Sequence, residues 1–311
     1  MAHIRRQKVA LCGSGGFGRY IAQAILAADE WDLVILSRYS QPHLSQQGFS
    51  VKVVDYSDPE YLSAVLRNQR VHTVISVIPD PYVQLSLIDA CVSAGVLRFV
   101  PSEFEASPSQ QPLYTSGGRD RMTVRRHLEE VSDRLESTVF TCGLFMEYFV
   151  PGGWRDCGGG NWNDGTFLMD LKRKKAVLPV DSRGVPNAVV CVTSAGDVAQ
   201  YVCGALNLGY WPPEMKMFGE RLRLRDLLAI AQEVREREFK VKYLTEDDID
   251  YNLSRAVADG DWKSQCELQT MQSINNQEYD VGHRDLNAIF PGIVPITFES
   301  FLRRYWRASA H

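Results

Sequence analysis

The chain has 311 residues, room for one large domain or two ordinary ones at about 150 residues each. Hydrophobic residues make up 45% and charged residues 23%, the balance of a protein with a packed core. A net charge of −4 argues against nucleic acid or an anionic membrane as partner, because neither is drawn to a mildly acidic surface.

Short apolar runs alternate with amphipathic stretches through the first half. Strands are expected at Lys8–Cys12, Leu33–Leu36, Val51–Asp55, Thr73–Ile78 and Arg98–Val100, with helices at Gly18–Ala27, Pro59–Arg67 and Val83–Ala94. Near-continuous apolar strands separated by helices predict an α/β fold, a doubly wound parallel sheet covered on both faces. A polar loop with Pro and Gly follows over Glu105–Gly118, long enough to read as a lid or binding loop. Then come a helix near Asp120–Leu135, a sixth strand at Thr138–Cys142 and an aromatic run through Phe145, Met146, Tyr148 and Phe149. The Gly- and Trp-rich stretch 151–165 marks a boundary. This divides the chain near residue 150 into two parts. Beyond the boundary, a strand is expected at Ala188–Val192, and Ser194 with Asp197 and Thr245 with Asp248 resemble capping boxes. Phe298, Phe301, Leu302 and Tyr305 line an amphipathic last helix.

The seven cysteines are scattered with no CxxC pair, and the six histidines show no HExxH spacing, so a reduced, cytoplasmic protein without a metal is expected. The N-terminal residues lack the apolar region and cleavage site of a signal peptide, and no run approaches the ~18 apolar residues of a membrane span.

Gly13-Ser14-Gly15-Gly16-Phe17-Gly18 follows the first strand and opens the first helix. As GxGxxG it uses Gly13 for a tight turn, Gly15 for close approach of a pyrophosphate and Gly18 for helix–strand packing, with phosphate on the helix N-terminus. At the end of the second strand an NAD site carries Asp or Glu for the ribose hydroxyls, whereas this chain has Ser37-Arg38. An arginine fork suits a ribose 2′-phosphate that a carboxylate would repel, which points to NADP(H).

Arg98-Phe99-Val100-Pro101-Ser102-Glu103-Phe104 resembles the RFxPSEF strand end of the NmrA-like and isoflavone-reductase-like group of atypical short-chain dehydrogenases. Val124–Glu130 (VRRHLEE), Thr141–Phe149 (TCGLFMEYF), Thr193–Val202 (TSAGDVAQYV) and Ile296–Leu302 (ITFESFL) extend the resemblance across nearly the whole chain, in a style closest to fungal members. The resemblance implies an NADP(H)-binding Rossmann domain over 1–150, whose Ser76, Val77 and Ile78 line the cofactor, and a smaller C-terminal α/β substrate-binding domain over 151–311, with segments around 188–208 returning to the first. It also implies that Pro101–Phe104, including Ser102, and Gly143–Phe145 lie near the nicotinamide. The glycine loop is one residue shorter than the group's usual GxxGxxG.

One departure bears on chemistry. The group carries a Lys three residues before (V/I)RR, used for the cofactor ribose and for proton transfer; here that position is Arg121, and no lysine occurs between Lys52 and Lys172. Arginine holds its proton to pH above ~12 and is a poor donor, but it can still hold an oxyanion. Glu103, Tyr148, Tyr114 and Asp170 are the other acid–base candidates, and the YxxxK dyad of ordinary short-chain dehydrogenases is missing. Two function classes fit. One is an NADP(H)-dependent oxidoreductase for an enone, imine or related group in a bulky aromatic secondary metabolite, including redox-neutral cyclisation or isomerisation, with Phe145–Phe149, Trp154 and Trp162 supplying an apolar pocket. The other is a non-catalytic NADP(H) sensor that docks on a regulatory protein. The partners expected are a small-molecule substrate and a second copy of the chain or, in the sensor, that regulator.

Overall fold

The computed structural model describes residues 6–107, 116–153 and 165–306. They fall into two compact units. Unit one comprises Met1–Phe104, Leu113–Phe140 and Val202–Met215; unit two comprises Glu105–Pro112, Thr141–Tyr201 and Lys216–His311.

Unit one is a six-stranded parallel sheet: β1 Lys8–Cys12, β2 Asp32–Ser37, β3 Ser50–Val53, β4 Val71–Ser76, β5 Arg98–Val100 and β6 Glu136–Ser137, in the order β3-β2-β1-β4-β5-β6. This is the doubly wound α/β order expected from the alternation of strands and helices. The order reverses between β1 and β4, and the carboxyl ends at such a switch point are where open α/β sheets place their ligands. Val9, Ala10, Leu11 and Cys12 are all fully buried, which explains why β1 reads as one apolar run rather than alternating. Helices α1 Gly16–Ala28, α2 Pro42–Gln46, α3 Pro59–Gln69, α4 Pro81–Ala94 and α5 Ser116–Glu130 complete the unit.

The helix limits follow from local chemistry. Asp58 caps α3 by accepting from the Tyr61 N–H (2.9 Å), and Asp80 caps α4 by accepting from Tyr82 and Val83 (2.9 and 3.2 Å). A proline follows each cap at the first helical position, where no hydrogen bond is lost, so α4 starts at Pro81 rather than Val83. Helix α5 ends at Glu130, short of the expected Leu135; turns follow, and Val131 and Leu135 still enter the core with Val124 and Leu128.

The sixth strand is a correction. It is Glu136–Ser137, paired with Arg98 and Phe99, and not Thr138–Cys142. The apolar run Val139–Thr141, β7, leaves the parallel sheet to pair with β12 Glu214–Lys216, and its Val139 N–H donates to the Pro213 carbonyl (3.1 Å).

Unit two holds two three-stranded sheets. In one, β11 Val189–Thr193 lies between β13 Glu220–Arg223, antiparallel, and β8 Leu144–Phe145, parallel. In the other, β10 Lys175–Pro179 lies between β14 Lys240–Leu244 and β9 Met169–Asp170. Residues 188–201 belong to this unit, and 202–215 to unit one. The Thr245–Asp248 capping box forms as expected at the helix over Glu246–Ala258. The last helix, Phe298–Tyr305, packs Phe298 on Phe149 at a 5.2 Å ring separation, and Trp306 donates its indole N–H to the Phe149 carbonyl (2.8 Å).

Candidate cofactor and active site

The glycine loop is dictated by space. Gly13 has φ +109°, and a Cβ there would sit 2.6 Å from the Val77 side chain; a Cβ on Gly18 would sit 2.4 Å from the Gly13 carbonyl oxygen. Both positions therefore require glycine. The Gly13 N–H donates to the Leu36 carbonyl (3.3 Å) and the Val77 N–H to the Cys12 carbonyl (2.9 Å), joining β1, β2 and β4 at their carboxyl ends. Gly15 is the N-cap of α1, in extended backbone and with no side-chain cap hydrogen bond. Ser76 is fully buried, and its hydroxyl accepts from the Ile78 N–H (3.3 Å). The glycine loop from Gly13 to Gly18 thus packs against Val77 and Ile78, next to Ser76 at the carboxyl end of β4.

At the end of β2, buried Ser37 accepts from the Tyr39 N–H (3.4 Å) and the Gln41 side chain (3.3 Å). Arg38 is exposed, with its guanidinium 5.9 Å from the centre of the Tyr39 ring. Arg19, which nothing in the motif marked, lines a small pocket with Ser14, Gly18 and Gln47. Two guanidinium-bearing residues therefore flank the loop, an arrangement that suits a phosphorylated ribose.

The end of β5 is fixed from three sides. The Ser102 N–H donates to the Oε1 of buried Gln84 (2.7 Å). Both carboxylate oxygens of buried Glu103 accept from Arg125, one from Nε at 3.0 Å and the other from Nη2. The Phe104 ring meets Phe17 edge-on at 4.8 Å and lies parallel to Phe140 at 5.9 Å. This geometry makes Glu103 an anchor for α5, engaged at both oxygens in an ion pair. Arg121 is half-buried one turn before Arg125 on the same helix face. Neither Gln84 nor Arg125 was legible as a partner of this strand end, because both contacts span long stretches of sequence.

In unit two, Gly143 has φ +75°, and a Cβ there would lie 2.2 Å from the Cys191 carbonyl oxygen; its N–H donates to the Glu105 carbonyl (3.2 Å). Packing against β11 is thus enough to require this glycine. Tyr148 is buried, with its ring edge-on to Phe145 and to Phe167, both at 6.2 Å. Asp170 accepts from the Arg173 N–H (2.8 Å) and guanidinium (3.1 Å), closing a surface turn. Tyr114, Trp154 and Trp162 lie outside the described residues.

Glu147 lies within the Thr141–Phe149 motif but was not singled out there, and it is buried, 1% exposed. Both its oxygens lie 3.0 Å from the Ala195 N–H, and burial pushes its pKa up to about 8. The Ser194 hydroxyl donates to the Asp197 carboxylate (2.7 Å) and accepts from the Asp197 N–H (3.1 Å), the second of these being one half of the expected capping box. Among the described residues no group of His, Cys, Asp and Glu is arranged to hold a metal, and no helix is long and apolar enough to cross a membrane.

The model of the NmrA-like family matches residues 5–282. The chain belongs to the NmrA-like family. Among curated relatives of this NmrA-like protein is the oxidoreductase BOA1 of Botryotinia fuckeliana, 30% identical over 236 residues, covering 71% of this chain and 73% of the relative. Its fold matches a crystal structure of isoflavone reductase with TM-score 0.79 at 18% identity, over 97% of this chain and 100% of that one. It also matches AtPrR2 with NADP+ and (+)pinoresinol, with TM-score 0.77 at 20% identity, over 97% and 99% of the two chains. The resemblance read from RFVPSEF and the Rossmann-type α/β architecture both stand.

Proposed function

We propose that this NmrA-like protein is an NADP(H)-dependent oxidoreductase acting on an enone, imine or related group of a bulky aromatic secondary metabolite. One observation carries the cofactor half: a glycine cradle with no room for a Cβ at Gly13 or Gly18 lies beside an exposed Arg38 where a ribose-binding carboxylate would otherwise be. The name of the BOA1 relative and the NADP+ and pinoresinol of the AtPrR2 structure support the reading.

In this reading residues 13–18 and 76–78 hold the pyrophosphate, Ser37 and Arg38 take the 2′-phosphate, and Ser102 borders the nicotinamide. The cofactor supplies a hydride. Arg121 stabilises negative charge developing on the substrate oxygen or nitrogen, and water delivers the proton, because a guanidinium does not release one near neutral pH. Glu103 holds α5 in place through Arg125, and Tyr148 contributes apolar wall to the substrate unit.

The test is to follow the absorbance of reduced nicotinamide with a panel of aromatic enones and imines. Turnover with NADPH is expected, and Arg121→Ala should lower kcat by about 10²-fold, the usual effect of removing an oxyanion donor. Arg121→Lys should keep most of the rate and make it pH-dependent, as the lysine can give up a proton. Substrate conversion without loss of absorbance would mark a redox-neutral reaction. Tight NADPH binding with no turnover across the panel would overturn the enzyme in favour of the sensor.

A further inference from the structure

The phosphate loop and the end of β5 are 87 positions apart at Phe17 and Phe104, yet their rings meet edge-on at 4.8 Å. Phe17 sits in the first turn of α1, directly before the glycine that packs on the Gly13 carbonyl. Its ring is 7% exposed and that of Phe104 is 6% exposed. Phe104 in turn lies flat against Phe140, which is 1% exposed, with 4° between the ring planes. The backbone around Phe104 has little freedom. Its neighbour Glu103 is held by Arg125, donates its N–H to the Pro101 carbonyl (2.7 Å) and accepts from the Phe140 N–H (3.3 Å); Ser102 is held by Gln84. Phe104 is therefore the side chain through which a rigid strand end touches the loop that forms the phosphate cradle.

We infer that Phe104 is a positioning residue for the dinucleotide: through Phe17 it sets the first turn of α1, so the phosphate loop and the end of β5 present themselves to the cofactor as one preformed surface. An edge-to-face pair brings directional attraction beyond area burial, so losing it lets the turn rotate even when the volume stays filled. Binding then has to restore the geometry, and affinity falls by that amount. The contribution belongs to the part of the cofactor that spans loop and strand end and not to the adenosine end near Arg38. This inference rests on the proposed NADP(H) reading.

Adenosine 2′-phosphate serves as a probe for the Arg38 end alone, and NADPH for the whole site. Dissociation constants for both, with the melting temperature, would be measured for wild type, Phe104→Leu, Phe17→Leu, the double variant and Phe104→Tyr. Each single leucine variant should weaken NADPH by about 5- to 10-fold, the affinity equivalent of one aromatic pair, with adenosine 2′-phosphate unchanged. The double variant should be no weaker than the worse single one, and Phe104→Tyr, which keeps the ring, should bind as wild type does. Folded leucine variants with wild-type NADPH affinity would overturn the inference, as would additive losses in the double variant or equal weakening of both probes. If the leucine variants do not fold, Phe104→Tyr with Phe17→Met decides on the same two probes. A wild type that binds neither probe would overturn the cofactor reading itself, an outcome separable from failure of the Phe104 coupling alone.

Discussion

The two edges of the parallel sheet in unit one are built on opposite principles. At the carboxyl edge the work is done by backbone: glycines that admit no Cβ, a loop stitched to the neighbouring strands by the Gly13 and Val77 N–H groups, and Arg38 held in solvent. At the amino edge it is done by side chains that consume one another. Arg98 donates to Glu136 (2.7 Å) and to the carbonyls of Leu206 (3.3 Å) and Gly209 (3.1 Å), with its guanidinium 4.8 Å from the Trp211 ring. Glu136 accepts from the Trp211 N–H (2.8 Å) with its other oxygen, and the Trp31 indole donates to Asn207 (3.0 Å). This network ties the segment 202–215 to the bottom of the sheet. In the proposed reading the first edge presents a shaped backbone to a ligand, whereas the second is closed by side chains that retain a returning segment. Substitutions should therefore separate binding from stability according to the edge they strike.

The largest effect is expected for Gly18→Ala. Its methyl would meet the Gly13 carbonyl at 2.4 Å, so the loop must shift, and NADPH affinity measured by titration should fall by more than about 100-fold, ~2.7 kcal/mol. Near-wild-type affinity would break the comparison at its carboxyl edge. Arg98→Ala comes next. It leaves Glu136 half-buried without its partner and removes two carbonyl caps, so the urea midpoint should report a loss of roughly 2–3 kcal/mol, less than for a fully buried pair. The folded variant should keep its NADPH dissociation constant, and a parallel loss of affinity would show that the edges are coupled. The smallest is Arg38→Ala, which removes one exposed charge-assisted contact. NADPH should weaken by about 10-fold, ~1.4 kcal/mol, while NADH stays unchanged; equal losses for both would remove Arg38 from the 2′-phosphate site.

The carboxyl edge was legible because its chemistry is local. Gly13 to Gly18 lie in one turn between a strand and a helix, and Ser37-Arg38 follows its strand directly, so spacing alone places them. The amino edge was not legible, because Arg98 finds its partners 38 and more positions away and no periodicity marks such a pairing. The same holds for Glu103, which read as an acid–base candidate until Arg125 occupied both its oxygens, and for Glu147, buried by elements distant in sequence. The sixth strand shows the limit within secondary structure. Val139–Thr141 has the better strand residues, but polar Glu136-Ser137 stands opposite Arg98-Phe99, and a free β5 edge takes whichever backbone the chain brings to it.

By itself, the sequence determined the doubly wound parallel α/β class, the glycine loop between the first strand and helix, and the lack of a carboxylate after β2, since each rests on propensity, steric necessity or charge within a few residues. Only the tertiary structure decided that Glu103 is an anchor, that Phe104 reaches Phe17, and that Arg98 holds residues 206–209. Those pairings depend on which surfaces the folded sheet brings within a few ångströms, and a side chain's chemistry does not reveal its partner until the backbone has closed around it.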